Sequence, residues 1–261
     1  MTAVVVHHRT DAAPTLAPDA PVVVLSNSLG STLAMWDRQV AALAEHFRVV
    51  RYDTRGHGGS PMPPGPYTIA DLAGDLVALL DRLEVERAHL VGLSLGGMTS
   101  MRVAAHDPER VDRLAVLCTS ARLAPASAWR ERAATVRAGG AGAVAAAVVA
   151  RWYTAEWRAA CPALVAAAEA MVASTPAEGY ASCCEAIAAM DLTGDLGRIA
   201  APTLAIAGAD DPATPPDHLE RIAAGIPAAQ LLVVDHAAHL ANDEQPAIVT
   251  AALLDHLTGG R

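Results

Sequence analysis

The feature that most constrains the fold of this sequence is a series of short apolar runs separated by longer segments with helical periodicity. Nearly continuous Val, Leu and Ile are typical of parallel strands that helices cover on both faces. The runs occupy residues 21–26, 48–53, 88–93, 113–118, 203–208 and 230–235. Residues 2–9 predict one further strand. This alternation predicts the α/β class, with a doubly wound, mostly parallel sheet.

One long segment interrupts the alternation. Helical patterns separate the strand candidates at residues 33–45, 69–83, 95–106, 218–224 and 244–256. From about residue 121 to residue 191 the chain is Ala-rich and helical, holds no strand candidate and carries three of the four Trp residues. We therefore expect a core of residues 1–120 and 193–261 and an inserted helical lid (cap) of residues 121–192. The alternative is an ordinary helical layer.

The segment Gly92-Leu93-Ser94-Leu95-Gly96 lies between a predicted strand and a predicted helix. This is the strand–turn–helix context of a G-x-S-x-G nucleophile elbow. A Cβ atom at either flanking glycine would collide with the neighbouring strand or helix, and the tight turn lifts the serine hydroxyl above the sheet. We predict that Ser94 is a nucleophile and that the N–H of Leu95, at the helix start, points towards a forming oxyanion.

A serine nucleophile needs a base, and the base needs an orienting acid. Two later strand candidates end in polar segments, at the edge where α/β sheets place their ligands. The first segment offers Asp210 and Asp211, and we favour Asp211 because it directly precedes Pro212, whereas Asp210 fits a turn or cap. The second offers His236 and His239, and we favour His239 because His236 fits a structural or surface position nearer the strand end.

A second oxyanion donor is expected from the loop after the first core strand. That loop reads Ser26-Asn27-Ser28-Leu29-Gly30-Ser31, and its register makes the N–H of Leu29 the candidate. A separate segment, Asp53-Thr54-Arg55-Gly56-His57-Gly58-Gly59-Ser60, combines acidic and basic side chains. Clusters of Gly and Asp usually mark loop geometry, so it predicts a structural turn. The pair His7-His8 is expected to be solvated.

The charge and composition argue against several partner classes. The net charge is −9, whereas nucleic-acid binding needs a basic footprint. No apolar segment is long enough to span a bilayer, and the first residues lack the apolar run of a signal peptide. We therefore expect a cytoplasmic protein with no nucleic-acid or membrane partner. The four cysteines have neither Cys-x-x-Cys spacing nor a nearby His cluster, so no metal or other cofactor is expected.

These motifs resemble those of the α/β-hydrolase superfamily along the whole chain. Within that superfamily the chain resembles the 3-oxoadipate enol-lactonases of the β-ketoadipate pathway. The matching stretches are LSNSLGS with MWD, RYDTRGHG, GLSLGGM, ARWYT, TPAEGYASCCEAIAAMDL and GADDPATPP. The Ser-Asn-Ser-Leu-Gly loop and residues 175–192 of the lid are the more discriminating stretches.

The resemblance implies a carboxylic ester hydrolase that opens a five-membered enol lactone bearing a carboxymethyl group. A Ser-His-Asp triad would act through an acyl-enzyme and release 3-oxoadipate. The carboxylate of this small anionic lactone needs a cation in an acidic protein. We expect Arg151 to bind it bidentately and Trp152 to wall the pocket. The alternative is that Arg151 pairs with a surface acid and Trp152 belongs to the lid core.

Two other functions remain open at this point. One is a different serine hydrolase with the same triad, such as a carboxylesterase, a C–C bond hydrolase or a cofactor-free perhydrolase. The other is a non-catalytic ligand binder built on the same fold. Turnover of the lactone, compared with that of a simple ester, separates these functions.

Overall fold

A single mixed sheet forms the centre of the molecule. The structure, a computed structural model, describes residues 2–259. The strands in these residues are β1 (His8–Asp11), β2 (Val22–Ser26), β3 (Arg48–Tyr52), β4 (Ala88–Leu93), β5 (Val111–Leu117), β6 (Thr203–Gly208) and β7 (Gln230–Val234). Their order is β1-β3-β2-β4-β5-β6-β7, and only β1 is antiparallel to its neighbour. The predicted α/β class and mostly parallel sheet are thus confirmed.

The central strands follow the apolar runs closely. Every residue of β2, β4 and β6 is buried, as expected for strands with helices on both faces. The N-terminal strand was predicted at residues 2–9 but begins only at His8. The N–H groups of the preceding residues bind side chains, since the Val4 N–H donates to Asp75 Oδ1 (2.8 Å) and the His7 N–H donates to Ser60 Oγ (2.8 Å).

Helices connect the strands and cover the sheet. Among residues 2–259 the α-helices of the core are α1 (Asp37–Ala44), α2 (Ile69–Arg82), α3 (Leu95–His106), α9 (Pro216–Gly225), α10 (Ala241–Glu244) and α11 (Pro246–Thr258). Helix α1 packs on α11, and α2 packs on α3. Within residues 2–259, no helix is long and apolar enough to cross a membrane.

Two of the predicted helices are divided in the structure. The predicted helix 33–45 begins as a 3-10 turn, Leu33–Trp36, before α1 starts. The predicted helix 244–256 is divided between α10 and α11, because Pro246 has no N–H with which to continue the first helix.

Five α-helices lie between β5 and β6. They are α4 (Ala126–Gly139), α5 (Gly142–Trp152), α6 (Ala155–Ala160), α7 (Pro162–Ala173) and α8 (Ala177–Ala189). Helix α4 packs on α8, where Arg137 pairs with Glu178 (2.8 Å) and Glu185 (2.7 Å). The Leu192 N–H donates to the Ala121 carbonyl oxygen (2.8 Å) and joins the two ends of the segment. We infer that residues 121–192 form the lid.

Candidate active site

Ser94 occupies a strained turn at the carboxyl end of β4. Its φ of 56° and ψ of −116° lie outside the conformations that a residue with a Cβ ordinarily adopts. A Cβ on Gly92 would lie 2.2 Å from the Gly96 carbonyl oxygen, and a Cβ on Gly96 would lie 2.1 Å from the Ser26 carbonyl oxygen. The Ser94 N–H donates to the Leu117 carbonyl oxygen (2.9 Å). Close packing of glycine backbones therefore holds the turn that presents this serine.

Asp211 and His239 meet above the ends of β6 and β7. His239 Nδ1 lies 2.8 Å from Asp211 Oδ2, and both residues are buried. Thr214 donates its hydroxyl to the same carboxylate oxygen (2.7 Å), while the N–H groups of Ala213 and Thr214 bind Asp211 Oδ1 (2.7 and 3.1 Å). Four donors fix the carboxylate, so it orients the imidazole with Nδ1 towards the acid.

These contacts also set the protonation state of the acid. Burial raises the pKa of Asp211, but the charge of His239 and the hydrogen bonds from His239 and Thr214 outweigh burial and hold that pKa at about 2. The carboxylate is therefore ionised at neutral pH and can stabilise an imidazolium on His239 as it forms.

The rejected candidates lie elsewhere. Asp210 is exposed, and its N–H donates to the Ala237 carbonyl oxygen (2.9 Å). His236 is exposed in a left-handed turn with φ of 54°, and its carbonyl oxygen accepts from Gln245 Nε2 (3.0 Å). Neither residue shares in the contacts between Asp211 and His239.

A cavity of about 270 Å³ joins these groups under the lid. Core and lid both contribute to its walls, which are formed by Ser28, Leu29, Ser94, Leu123, Trp129, Arg132, Val148, Arg151, Trp152, Tyr180, Pro212, Ala213, Thr214 and His239. Ser94 and His239 thus face the same small space, together with the loop that carries Leu29. A space of this size suits a small ligand.

The two predicted oxyanion donors come from different segments of the core. Leu95 begins α3 directly after Ser94, and Leu29 lies on the loop that follows β2. Within residues 2–259 neither of these N–H groups donates to a protein acceptor. Asn27 anchors the loop, because its Nδ2 donates to the Tyr52 carbonyl oxygen (2.7 Å) and its Oδ1 accepts from Trp36 Nε1 (3.0 Å). Both amides therefore stay candidates for the oxyanion donors.

The turn at residues 53–60 forms hydrogen bonds with this loop and with the residue that follows it. The Gly30 N–H donates to His57 Nε2 (3.0 Å), and burial lowers the pKa of His57 to about 4, so the imidazole is a neutral acceptor. Asp53 accepts from the Leu33 N–H (2.8 Å). Its other oxygen lies 2.8 Å from Nδ1 of His7, whose side chain is 47% exposed, as expected for a solvated residue. These contacts agree with a structural interpretation of the turn.

Two arginines reach the cavity from the lid. Arg151 and Trp152 end α5, one turn after Val148, and all three line the cavity. Arg132 approaches from α4, with its guanidinium carbon 4.5 Å from the centre of the Trp129 ring. Neither arginine forms an ion pair with an acid in the described part of the chain. Burial lowers the pKa of Arg151, and the charge of Arg132 lowers it further.

Sequence reasoning missed Arg132. The only signal was its spacing of three residues from Trp129, which places the two side chains on one helix face but does not show which way that face points. Metal ligands form no comparable set: within residues 2–259 no three His, Cys, Asp or Glu side chains are arranged to hold a metal ion.

The chain is similar to known proteins over most of its length. The α/β-hydrolase fold family model matches residues 21–246. The chain is 42% identical over 228 residues to 3-oxoadipate enol-lactonase 2 of Acinetobacter baylyi, which covers 87% of this chain and 85% of the relative. It is 33% identical over 247 residues to "Putative carbamate hydrolase RutD" of Stutzerimonas stutzeri, with 93% of each chain covered.

A solved structure shows the same fold in full. The crystal structure of the enol-lactonase from Burkholderia xenovorans LB400 superposes with a TM-score of 0.94 at 43% identity and covers 97% of this chain and 96% of that chain. The resemblance seen in the motifs is therefore confirmed. The chain belongs to the α/β-hydrolase fold family and is an enzyme of the carboxylic ester hydrolase class.

Proposed function

We propose that this enzyme opens the ring of 3-oxoadipate enol-lactone, or of a closely similar small lactone with a free carboxylate. The observation that carries the proposal is the placement of two unpaired arginines, Arg132 and Arg151, in the cavity that holds Ser94 and His239. Similarity to enol-lactonases over most of the chain supports the same substrate.

The first chemical step is attack of the Ser94 hydroxyl on the lactone carbonyl. His239 accepts the serine proton, and Asp211 holds the imidazole in the required tautomer and stabilises the imidazolium. The N–H groups of Leu29 and Leu95 bind the oxyanion. Removing one such donor typically costs about 3 kcal/mol in the barrier.

Ring opening releases the enol oxygen while the product stays attached to Ser94 as an ester. The tethered enolate can attack the ester again, so its protonation to the ketone makes the opening difficult to reverse. His239 then takes a proton from water, which attacks the acyl-enzyme and releases 3-oxoadipate. Overall, the lactone takes up one water molecule and yields a dicarboxylate.

The arginines explain why the substrate would carry a carboxylate. The positive charge of Arg132 lowers the pKa of Arg151, which means that the two guanidinium groups repel each other. An anion between them removes that repulsion and gains charge-assisted hydrogen bonds. The cavity is therefore better matched to an anionic lactone than to a neutral ester of the same size. Trp152 supplies an apolar wall.

The direct test is loss of ultraviolet absorbance of the purified enol lactone in the presence of the enzyme. We expect turnover by the wild type and loss of at least about 1000-fold in Ser94→Ala, because residual rates come only from binding and the oxyanion hole. Labelling of Ser94 by a fluorophosphonate, with no turnover of any ester, would instead identify a ligand binder.

A carbamate is the second candidate substrate, because the RutD relative bears that activity in its name. The same triad and oxyanion donors would serve it, so only the two arginines favour one substrate over the other.

We also propose that the protein acts in the cytoplasm, in the β-ketoadipate pathway of aromatic catabolism. Its four cysteines are free, which fits a reducing compartment.

A further inference from the structure

Residues on both sides of His239 are linked by hydrogen bonds to one short segment of the lid, Leu240 directly and Ala238 through Glu244. The Leu240 N–H donates to the carbonyl oxygen of Trp152 (2.8 Å). The Ala238 N–H donates to Glu244 Oε2, and the other oxygen of that carboxylate accepts from the N–H and the hydroxyl of Thr154 (2.8 Å each). The candidate base is therefore tied to residues 152–154, which directly follow Arg151.

The chemistry of this connection requires a carboxylate. Three donors, one from Ala238 and two from Thr154, converge on the carboxylate of Glu244, a residue that is only 8% exposed. A carboxylate accepts at both ends, whereas the amide of glutamine accepts at one end only and donates at the other. In a buried site, two donors that face each other leave both unsatisfied.

We propose that Glu244 is a positioning residue that holds His239 of the core and Arg151 of the lid in one fixed relation. Arg151 of the lid binds the substrate, whereas His239 of the core deprotonates Ser94. The relative placement of lid and core therefore decides whether a bound substrate can react. The role rests on the proposed function, because it takes His239 as the base. Its consequence is that one substitution remote from the substrate disturbs both binding and chemistry.

The test is Glu244→Gln, assayed on the enol lactone and on p-nitrophenyl acetate. We expect kcat to fall roughly 10- to 100-fold on both substrates, because misplacing His239 affects every ester. KM is expected to rise for the anionic lactone alone, since only that substrate uses Arg151. The control is Asp243→Asn on the same short helix, whose carboxylate binds the Tyr153 hydroxyl (2.8 Å) but neither neighbour of His239. It should keep kcat within about twofold of wild type.

Thr154 gives a second, milder pair of variants. Thr154→Val removes the hydroxyl donor from the lid side only, so KM for the lactone should rise while kcat changes less than in Glu244→Gln. Thr154→Ser retains the hydroxyl and should therefore keep kcat and KM at their wild-type values. In the double variant Glu244→Gln with Thr154→Val, the two effects on KM should not add, because the contact is already lost.

The outcomes are distinguishable. Circular dichroism gives the folded fraction, and rates are compared per folded enzyme. A Glu244→Gln variant with a lower Tm but wild-type kcat and KM would overturn the positioning role. A His239→Ala variant that retains wild-type esterase activity would overturn both this role and the proposed function. Ester turnover that depends on His239 and Glu244, without lactone turnover, would uphold the positioning role and overturn the lactonase proposal.

Discussion

Replacing Gly96 with alanine tests whether backbone packing holds the serine in its reactive position. The new Cβ would lie 2.1 Å from the carbonyl oxygen of Ser26 and 2.3 Å from its carbonyl carbon. Carbon and carbonyl oxygen normally approach to about 3.3 Å at closest. The two backbones must therefore separate by about 1 Å, and no side-chain rotation can relieve a contact between backbone atoms.

Moving the backbones of Gly96 and Ser26 apart would displace both segments that carry the proposed oxyanion donors. Gly96 lies two residues after Ser94, and Ser26 lies three residues before Leu29. A displacement of about 1 Å at a reacting group can cost about 100-fold in rate. Overpacking in a well-packed interior costs about 1 to 3 kcal/mol in the free energy of unfolding. We expect Gly96→Ala to fold, with kcat on p-nitrophenyl acetate reduced about 100-fold.

Gly74→Ala is the matched control. Gly74 lies in the middle of α2, and a Cβ there has no neighbour within 4 Å. Alanine should raise the free energy of unfolding by about 0.5 to 1 kcal/mol and leave kcat unchanged. Urea unfolding and steady-state kinetics on both variants give the comparison. Wild-type kcat in folded Gly96→Ala would refute the reasoning about the elbow.

Three further predictions follow from the site and the core. Arg132→Gln should raise KM for the enol lactone but not for p-nitrophenyl acetate, whereas Arg130→Gln, on the exposed side of the same helix, should change neither; equal effects on both substrates would contradict the anion site. Asp211→Asn should lower kcat about 10⁴-fold by favouring the wrong tautomer, while Asp210→Asn should be neutral, and a reversed result would reassign the acid. Burial lowers the pKa of His89 from 6.5 in the unfolded chain to about 4, so the unfolded state binds more protons between those values and stability falls as the pH drops through them. Urea unfolding at about pH 7.5 and about pH 5 should show a loss that is about 2 kcal/mol smaller in His89→Gln than in the wild type, since His57, whose pKa is also lowered to about 4, contributes to the loss in both proteins.

The sheet was predictable because its signal is local. A strand buried on both faces must be apolar at nearly every position, and β2, β4 and β6 satisfy this within their own residues. The start of β1 was not predictable in this way. The residues before it are held by Asp75 and Ser60, which lie 71 and 53 positions away in the chain.

The same distinction between local and long-range signals applies to the residues of the site. Ser94 directly follows β4, while Asp211 and His239 lie on the segments that follow β6 and β7. The strand ends of a parallel sheet meet at one edge, so the proximity of the three residues could be inferred. Arg132 and Glu244 act through helix faces and loop contacts that only the folded chain determines. Glu244 was expected to begin a helix, but it ends α10 and binds a lid residue 90 positions away.

The central claim is that this hydrolase selects a small lactone that carries a carboxylate. The most direct test compares wild-type kcat/KM for the enol lactone, for a neutral ester of similar size and for a carbamate. We predict that the enol lactone is preferred by about 100-fold or more, which corresponds to a buried charge pair. Equal or higher kcat/KM for the neutral ester or the carbamate would contradict this account.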